Sequence, residues 1–237
     1  MNRNLLFVTA MLASFSSQAT YIDYRHEWLS DEKKQEDRIK MGHQMDNGLY
    51  YSIEGKWESK HGDFLQNLTS KGNEFEIGYK MKPFDDQNFT LQPSFALDSG
   101  EGDSAYKFSL KGSYKWTDKF NTGLRLRYAV RDYEQEVSAP KDSTHYWQSN
   151  LYLGYKVGDF AFTYDFEYKF DTDYPALKGE EYDYLHNLNV SWTGNKTWVP
   201  YIEVGYVNYN DGSYFVNGAS QKNAWQMRYR VGIAYNF

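Results

Sequence analysis

The sequence predicts an all-β fold, a transmembrane antiparallel β-barrel of about twelve strands, and three observations carry that prediction. Apolar and polar residues alternate at period two from end to end, the signature of strands with two unlike faces. Aromatics reach 19% while charged residues reach 24% and mean hydropathy is −0.80, so the apolar faces are not those of a large buried core. Tight turn-rich connections alternate with longer polar ones, as they do in barrels with short periplasmic turns and longer extracellular loops.

The strands follow in order. "TYIDYRHEW" sets Ile22, Tyr24 and Trp28 against Asp23, Arg25 and Glu27. "RIKMGHQM" sets Ile39, Met41 and Met45 against Arg38, Lys40 and Gln44, and "LYYSIEGKWE" sets Leu49, Tyr51, Ile53 and Trp57 against Ser52, Glu54, Lys56 and Glu58. "NEFEIGYKMK" and "NFTLQPSFALD" continue the pattern through Phe75, Ile77, Tyr79, Phe89, Leu91, Phe95 and Leu97. In the second half, "YKFSLKGSYKW" alternates Phe108, Leu110, Tyr114 and Trp116 with Lys107, Lys111 and Lys115. "FNTGLRLRYAVRD" alternates Leu124, Leu126, Tyr128 and Val130 with Arg125, Arg127 and Arg131. "YWQSNLYLGYKV", "DFAFTYDFEYKFD", "EYDYLHNLNVSW", "WVPYIEVGYVNY" and "NAWQMRYRVGIAYNF" complete the series. Pro93 and Pro200 fall inside strand patterns and predict bulges or strand starts.

Turns are expected at 46–48, 83–87, 117–119, 158–159 and 194–196, and longer loops at 30–35, 59–71, 99–105, 133–144, 171–179 and 210–222. A soluble sandwich would alternate too, but with faces of Val, Ile and Leu. Here Tyr, Phe and Trp dominate, and all seven tryptophans fall near strand ends, where an interfacial girdle places them. In hydrocarbon every backbone group must be paired, so the strands must close on themselves.

Residues 1–19 carry Arg3, a short apolar stretch and the small-x-small sequence Ser17-Gln18-Ala19. They predict a secretory signal peptide, with residues 20–237 forming an outer-membrane β-barrel. Loss of the leader moves the formal charge from −6 to −7, which argues against nucleic acid as a partner. With no cysteine, thiol, disulfide and Cys-metal chemistry are excluded. No calcium-ligand spacing stands out in the loops, and no cofactor is expected. An aromatic last residue, Phe237, on an amphipathic final strand resembles the signal by which bacterial outer-membrane proteins engage the barrel assembly machinery.

Charges facing lipid cost about 2–4 kcal/mol at the midplane, so the polar faces must line a lumen. Arg228 and Arg230 lie on the last strand, Arg25 on the first, and Arg38 and Lys40 on the second, neighbours once the barrel closes. Half a turn away the sixth and seventh strands carry Lys107, Lys111, Lys115, Arg125, Arg127 and Arg131. Two basic tracks are thus expected to face each other, with carboxylates such as Glu54, Glu74, Glu167 and Glu203 between them to hold the guanidinium forks. Such ladders suit an anionic polymer passed from fork to fork, since conduction needs weak repeated sites. Tyr21, Tyr50, Tyr152 and Tyr201 fall on the lumen side, as sugar-facing rings or as fillers of space.

Six stretches, "IDYRHE", "LQPSFALDSG", "LRLRYAVR", "FEYKF", "WVPYIEVG" and "RYRVGIAYNF", in this order and spacing, resemble the oligogalacturonate-specific porins of the KdgM type, which include sialic-acid-inducible outer-membrane channels. The resemblance spans essentially the whole mature chain. It implies a monomeric twelve-stranded channel in the outer-membrane lipid for acidic oligosaccharides. It also implies a lumen role for Arg25, Arg38, Arg125, Arg127, Arg131, Arg228 and Arg230. The sequence departs from the family in "RDYEQE", which is more acidic than expected, and in its loops. Oligogalacturonate leads, with an alginate oligouronide, sialic acid or the substrates of a small non-specific porin as alternatives. An outer-membrane phospholipase would need a nucleophile beside its base. His145 and Ser149, four residues apart on one strand, are about 13 Å apart, so no enzyme is expected. His26, His43 and His186 fall on the apolar faces.

Overall fold

The computed structural model describes residues 20–59, 64–100, 102–133, 142–172, 182–209 and 224–237. The expected leader cleavage site lies outside them. Twelve strands run β1 (Thr20–Leu29), β2 (Lys34–Gln44), β3 (Leu49–Ser59), β4 (Leu68–Tyr79), β5 (Phe89–Ser99) and β6 (Asp103–Lys115), then β7 (Phe120–Tyr133), β8 (Ser143–Val157), β9 (Phe160–Asp171), β10 (Tyr182–Trp192), β11 (Trp198–Tyr209) and β12 (Ala224–Asn236). Each pairs antiparallel with its neighbours in sequence, and β1 pairs with β12 to close the barrel.

Its burial is inverted relative to a soluble protein. Among the described residues six hydrophobics are buried, three of them alanines, against seventeen polar or charged residues. Large apolar side chains such as Ile39, Phe108, Leu124, Leu151, Ile202 and Val231 lie exposed on the outside. Removing such a surface from water requires lipid. Trp28, Trp57, Trp147 and Trp225 fall toward one rim and Trp116, Trp192 and Trp198 toward the other, making two girdles at the depths where amphipathic rings are favoured.

Two features depart from the expected pattern. β4 starts at Leu68 rather than within "NEFEIGYKMK", because its polar first turn pairs through the backbone: Ser59↔Leu68, Glu58↔Thr69 and Trp57↔Ser70. A bulge between Lys56 and Trp57 admits this extension. It depends on Gly72, whose φ of 138° is strained for a residue with a Cβ and whose added Cβ would lie 2.4 Å from the Ser99 carbonyl oxygen. The outer connections 30–33 and 100–102 are correspondingly short.

The second departure concerns the prolines. The β4–β5 ladder stops at Gly78↔Ser94 and resumes only as the single bridge Met81↔Leu91. Pro93 stands in the gap, without an N–H to give. On the other edge it keeps its register opposite Leu110. Pro200 likewise stands where the β10–β11 ladder ends at Ser191↔Tyr201, and it remains paired with Ile233. Both prolines therefore sit in continuous strands and each marks a lapse on one edge only.

At the β6–β7 turn, Lys115 donates to Asp118 at 2.5 Å and holds that exposed carboxyl below its ordinary range. Lys115 therefore belongs to the periplasmic rim rather than to the mid-lumen.

Candidate functional site

Side chains two strands apart converge only on the concave side of a barrel, and several polar contacts skip a strand. Lys56 on β3 donates to Asp98 on β5 at 3.3 Å, and Lys107 on β6 donates to Glu74 on β4 at 2.9 Å. Arg228 on β12 donates to Asn187 on β10 at 2.6 Å, and the Tyr201 hydroxyl on β11 to Asp23 on β1 at 3.2 Å. These contacts identify the charged face as the lumen. By strand parity the ten basic residues of the two tracks other than Lys115 lie on it.

On the closing wall, β12–β1–β2, each cation has a carboxylate within 4 Å. Arg230 donates to Glu27 and to Glu203, both at 2.5 Å, bridging β1 and β11. Arg38 holds Asp23 and lies 3.3 Å from Glu54. Arg25 lies 3.9 Å from Glu27, Arg228 lies 3.9 Å from Glu203, and Lys40 lies 3.7 Å from Glu54. Register explains the crowding: Glu27 is opposite Arg230 on one side and next to Arg25 on its own strand.

The opposite wall, β6–β7, is built differently. Lys107 is doubly paired, with Glu74 at 2.9 Å and Asp98 at 2.6 Å, and Arg131 lies 3.4 Å from Asp103. Below them the carboxylates thin out. Arg125 has Glu167 at 3.9 Å, and its fork is held instead by the Asn150 side-chain oxygen, at 3.2 and 2.9 Å. Arg127 donates to the Ser109 hydroxyl at 2.8 Å. Lys111 sits over the Tyr152 ring, 4.3 Å from its centroid. Among the described residues neither Arg127 nor Lys111 has a carboxylate within 4 Å. Of the two facing tracks, one is thus an ion-paired wall and the other a wall with two bare cations.

Neutral positioning residues are what the charge pattern missed. Asn150 is fully buried; its oxygen receives Arg125 and Gln148, and its nitrogen donates to Asp165 at 2.9 Å and Glu167 at 3.1 Å. Asn187 and Ser109 do the same for Arg228 and Arg127. Each lies on the lumen face one or two strands from the arginine it holds, a relation that strand parity makes findable.

The family model described as "Oligogalacturonate-specific porin protein (KdgM)" matches residues 13–237. The chain belongs to this KdgM porin family. The oligogalacturonate-specific porin KdgM of Dickeya dadantii is 30% identical over 245 residues, covering 98% of each chain. The N-acetylneuraminic acid outer membrane channel protein NanC of Escherichia coli K12 is 27% identical over 233 residues, covering 92% of this chain and 91% of that one. A solved KdgM porin in complex with disordered oligogalacturonate matches with a TM-score of 0.63 at 29% identity, covering 92% of this chain and 99% of that one. This member of the KdgM porin family is therefore an outer-membrane β-barrel, and its family and fold are those of channels rather than enzymes.

The outward histidines fit that assignment. His145 and Ser149 share the outer face of β8, and His145 stacks on Tyr128 at 5.9 Å. His26 meets Asp37 at 3.0 Å, His43 meets the Thr20 hydroxyl at 2.8 Å and His186 the Tyr164 hydroxyl at 2.6 Å.

Proposed function

We propose that this porin admits acidic oligosaccharides, oligogalacturonate foremost, across the outer membrane by passive diffusion, drawn along the cationic side of its lumen. The observation that carries this reading is the pair of bare cations, Arg127 and Lys111, on a wall where β6 and β7 otherwise present Lys107, Arg125 and Arg131. A cation already bonded to a carboxylate must lose that partner before it can take another. An unpaired one offers its charge directly to a passing anion. The paired wall, with Arg25, Arg38, Lys40, Arg228 and Arg230, then supplies exchangeable weak sites and shapes the pore. The naming of the D. dadantii relative supports oligogalacturonate as the substrate, and that of the E. coli relative supports sialic acid as the second reading.

The test is conductance in planar bilayers. The parent channel is expected to be anion-selective. A unit charge about 7 Å from a permeating ion in water is worth about 0.6 kcal/mol, or roughly threefold. Lys111→Gln with Arg127→Gln should therefore lower anion permeability by roughly tenfold and raise cation permeability in step. Cation selectivity in the parent would overturn the reading. Liposome uptake of galacturonate oligomers, alginate oligouronides and sialic acid ranks the substrates.

The same reading covers maturation and assembly. Residues 1–19 are removed on export, which N-terminal sequencing of the membrane form checks, and the barrel works as a monomer. Phe237 stands exposed at the end of β12, its N–H donating to the Thr20 carbonyl at 3.0 Å, available to the assembly machinery.

A further inference from the structure

Three lumen tyrosines near the periplasmic mouth follow a repeat that ion pairing does not account for. Tyr201 on β11 stands opposite Gly232 on β12, Tyr21 on β1 opposite Gly42 on β2, and Tyr50 on β3 opposite Gly78 on β4. A Cβ added to those glycines would come within 2.3, 2.5 and 2.4 Å of the paired ring, in each case against ring carbons and the hydroxyl. Each ring is therefore laid over bare backbone, with one face covered by the wall and the other turned toward the lumen. Two of the tips are fixed as well: the Tyr50 hydroxyl donates to Glu76 at 3.0 Å and that of Tyr201 to Asp23 at 3.2 Å. A ring held by both face and tip has little freedom left to lose when something stacks on it.

Opposite this shelf lies the bare part of the cationic wall. A cavity of 570 Å³ has Tyr21 and Tyr50 on one side and Lys111, Arg125 and Tyr152 on the other, within the range of about 300–1,000 Å³ usual for small-molecule sites. One ligand chemistry uses both sides at once. A pyranose presents a flat C–H surface to an aromatic face, and an acidic pyranose adds a carboxylate at its edge.

We propose that the periplasmic mouth contains a saccharide subsite in which Tyr21 and Tyr50 carry the sugar ring while Lys111, with Arg125 beside it, takes the carboxylate. The inference rests on the acidic-sugar reading of the channel and adds to it a requirement for a ring. The subsite holds ring-bearing anions longer than open-chain anions of equal charge.

Single-channel block by trigalacturonate and by tricarballylate, a ring-free trianion, tests this on the full-length porin. Tyr21→Leu with Tyr50→Leu is expected to shorten the trigalacturonate dwell about tenfold, equivalent to about 1.4 kcal/mol, and to leave tricarballylate unchanged. Tyr21→Phe with Tyr50→Phe keeps the rings and should keep the dwell. Lys111→Gln should shorten both. If heat-modified migration on gels shows that the double leucine variant does not assemble, each single variant replaces it, with about threefold expected. An unchanged trigalacturonate dwell in the leucine variants, or an equal change for both anions, overturns the subsite. In that event the channel reading stands if the parent is anion-selective, and only loss of that selectivity overturns both.

Discussion

The two basic walls of the barrel hold similar numbers of cations and use them in opposite ways. On β12–β1–β2 every lumen cation lies within 4 Å of a carboxylate, and Arg230 bonds both Glu27 and Glu203. On β7 the sequence "LRLRYAVR" alternates arginine with lipid-facing residues, and the lumen positions between Gly123 and Arg131 contain no acid. There Ser109 holds Arg127, and Asn150 holds Arg125 with Glu167 farther off at 3.9 Å. A neutral holder fixes a guanidinium without cancelling its charge. A carboxylate fixes it and cancels it. The difference teaches that formal charge on a pore wall is a poor guide to the field a solute meets, and that the identity of the supporting atom decides it.

Glu27→Gln should separate the walls most sharply. It leaves Arg25 without a carboxylate within 4 Å and Arg230 with Glu203 alone. Uncompensated buried charge of this kind costs about 3 kcal/mol or more. The urea midpoint of the refolded barrel is expected to fall accordingly, whereas Arg127→Gln, which breaks no ion pair, should leave it unchanged or raise it. Equal losses in the two variants would erase the distinction. A smaller effect comes from giving the bare wall what the other has. Ser109→Asp places a carboxylate where Arg127 now meets a hydroxyl at 2.8 Å. It should reduce anion selectivity roughly threefold in bilayers while the barrel stays folded. The mildest test changes no residue. Raising salt from about 0.1 M to about 1 M shortens the screening length from about 10 Å to about 3 Å, so selectivity from the unpaired cations should decline steadily. A selectivity indifferent to salt would mean that the discrimination is steric.

Much of this was readable in the sequence because the two solvents of a barrel wall impose a strict parity. Once Leu124 and Leu126 face lipid, Arg125 and Arg127 have nowhere to go but the lumen. The start of β4 was not readable. "LTSKGN" has no alternation, and its pairing comes from backbone groups admitted by the bulge between Lys56 and Trp57, beside Gly72. Nor did the sequence say which cations are neutralised, because Arg230 meets its two acids through the register of both its neighbours. A trace was present all the same. "DYRHE" places acids on the same face as its arginine, and "RLR" does not. The tyrosine shelf was half legible: parity put the four rings inside and register sets each opposite a glycine, but only the packing shows that three of them lie over it.

The Arg230–Glu27 bond joins residues 203 positions apart, across the seam where the last strand meets the first. Neither partner can find the other until eleven strands have been laid side by side and the twelfth has arrived in register. A slip by one residue would turn Arg230 to the lipid and strand Glu27 in the lumen. The bond therefore works as a proofreading contact. It rewards only the barrel that has closed on the right number of strands, whereas a misregistered barrel keeps open edges.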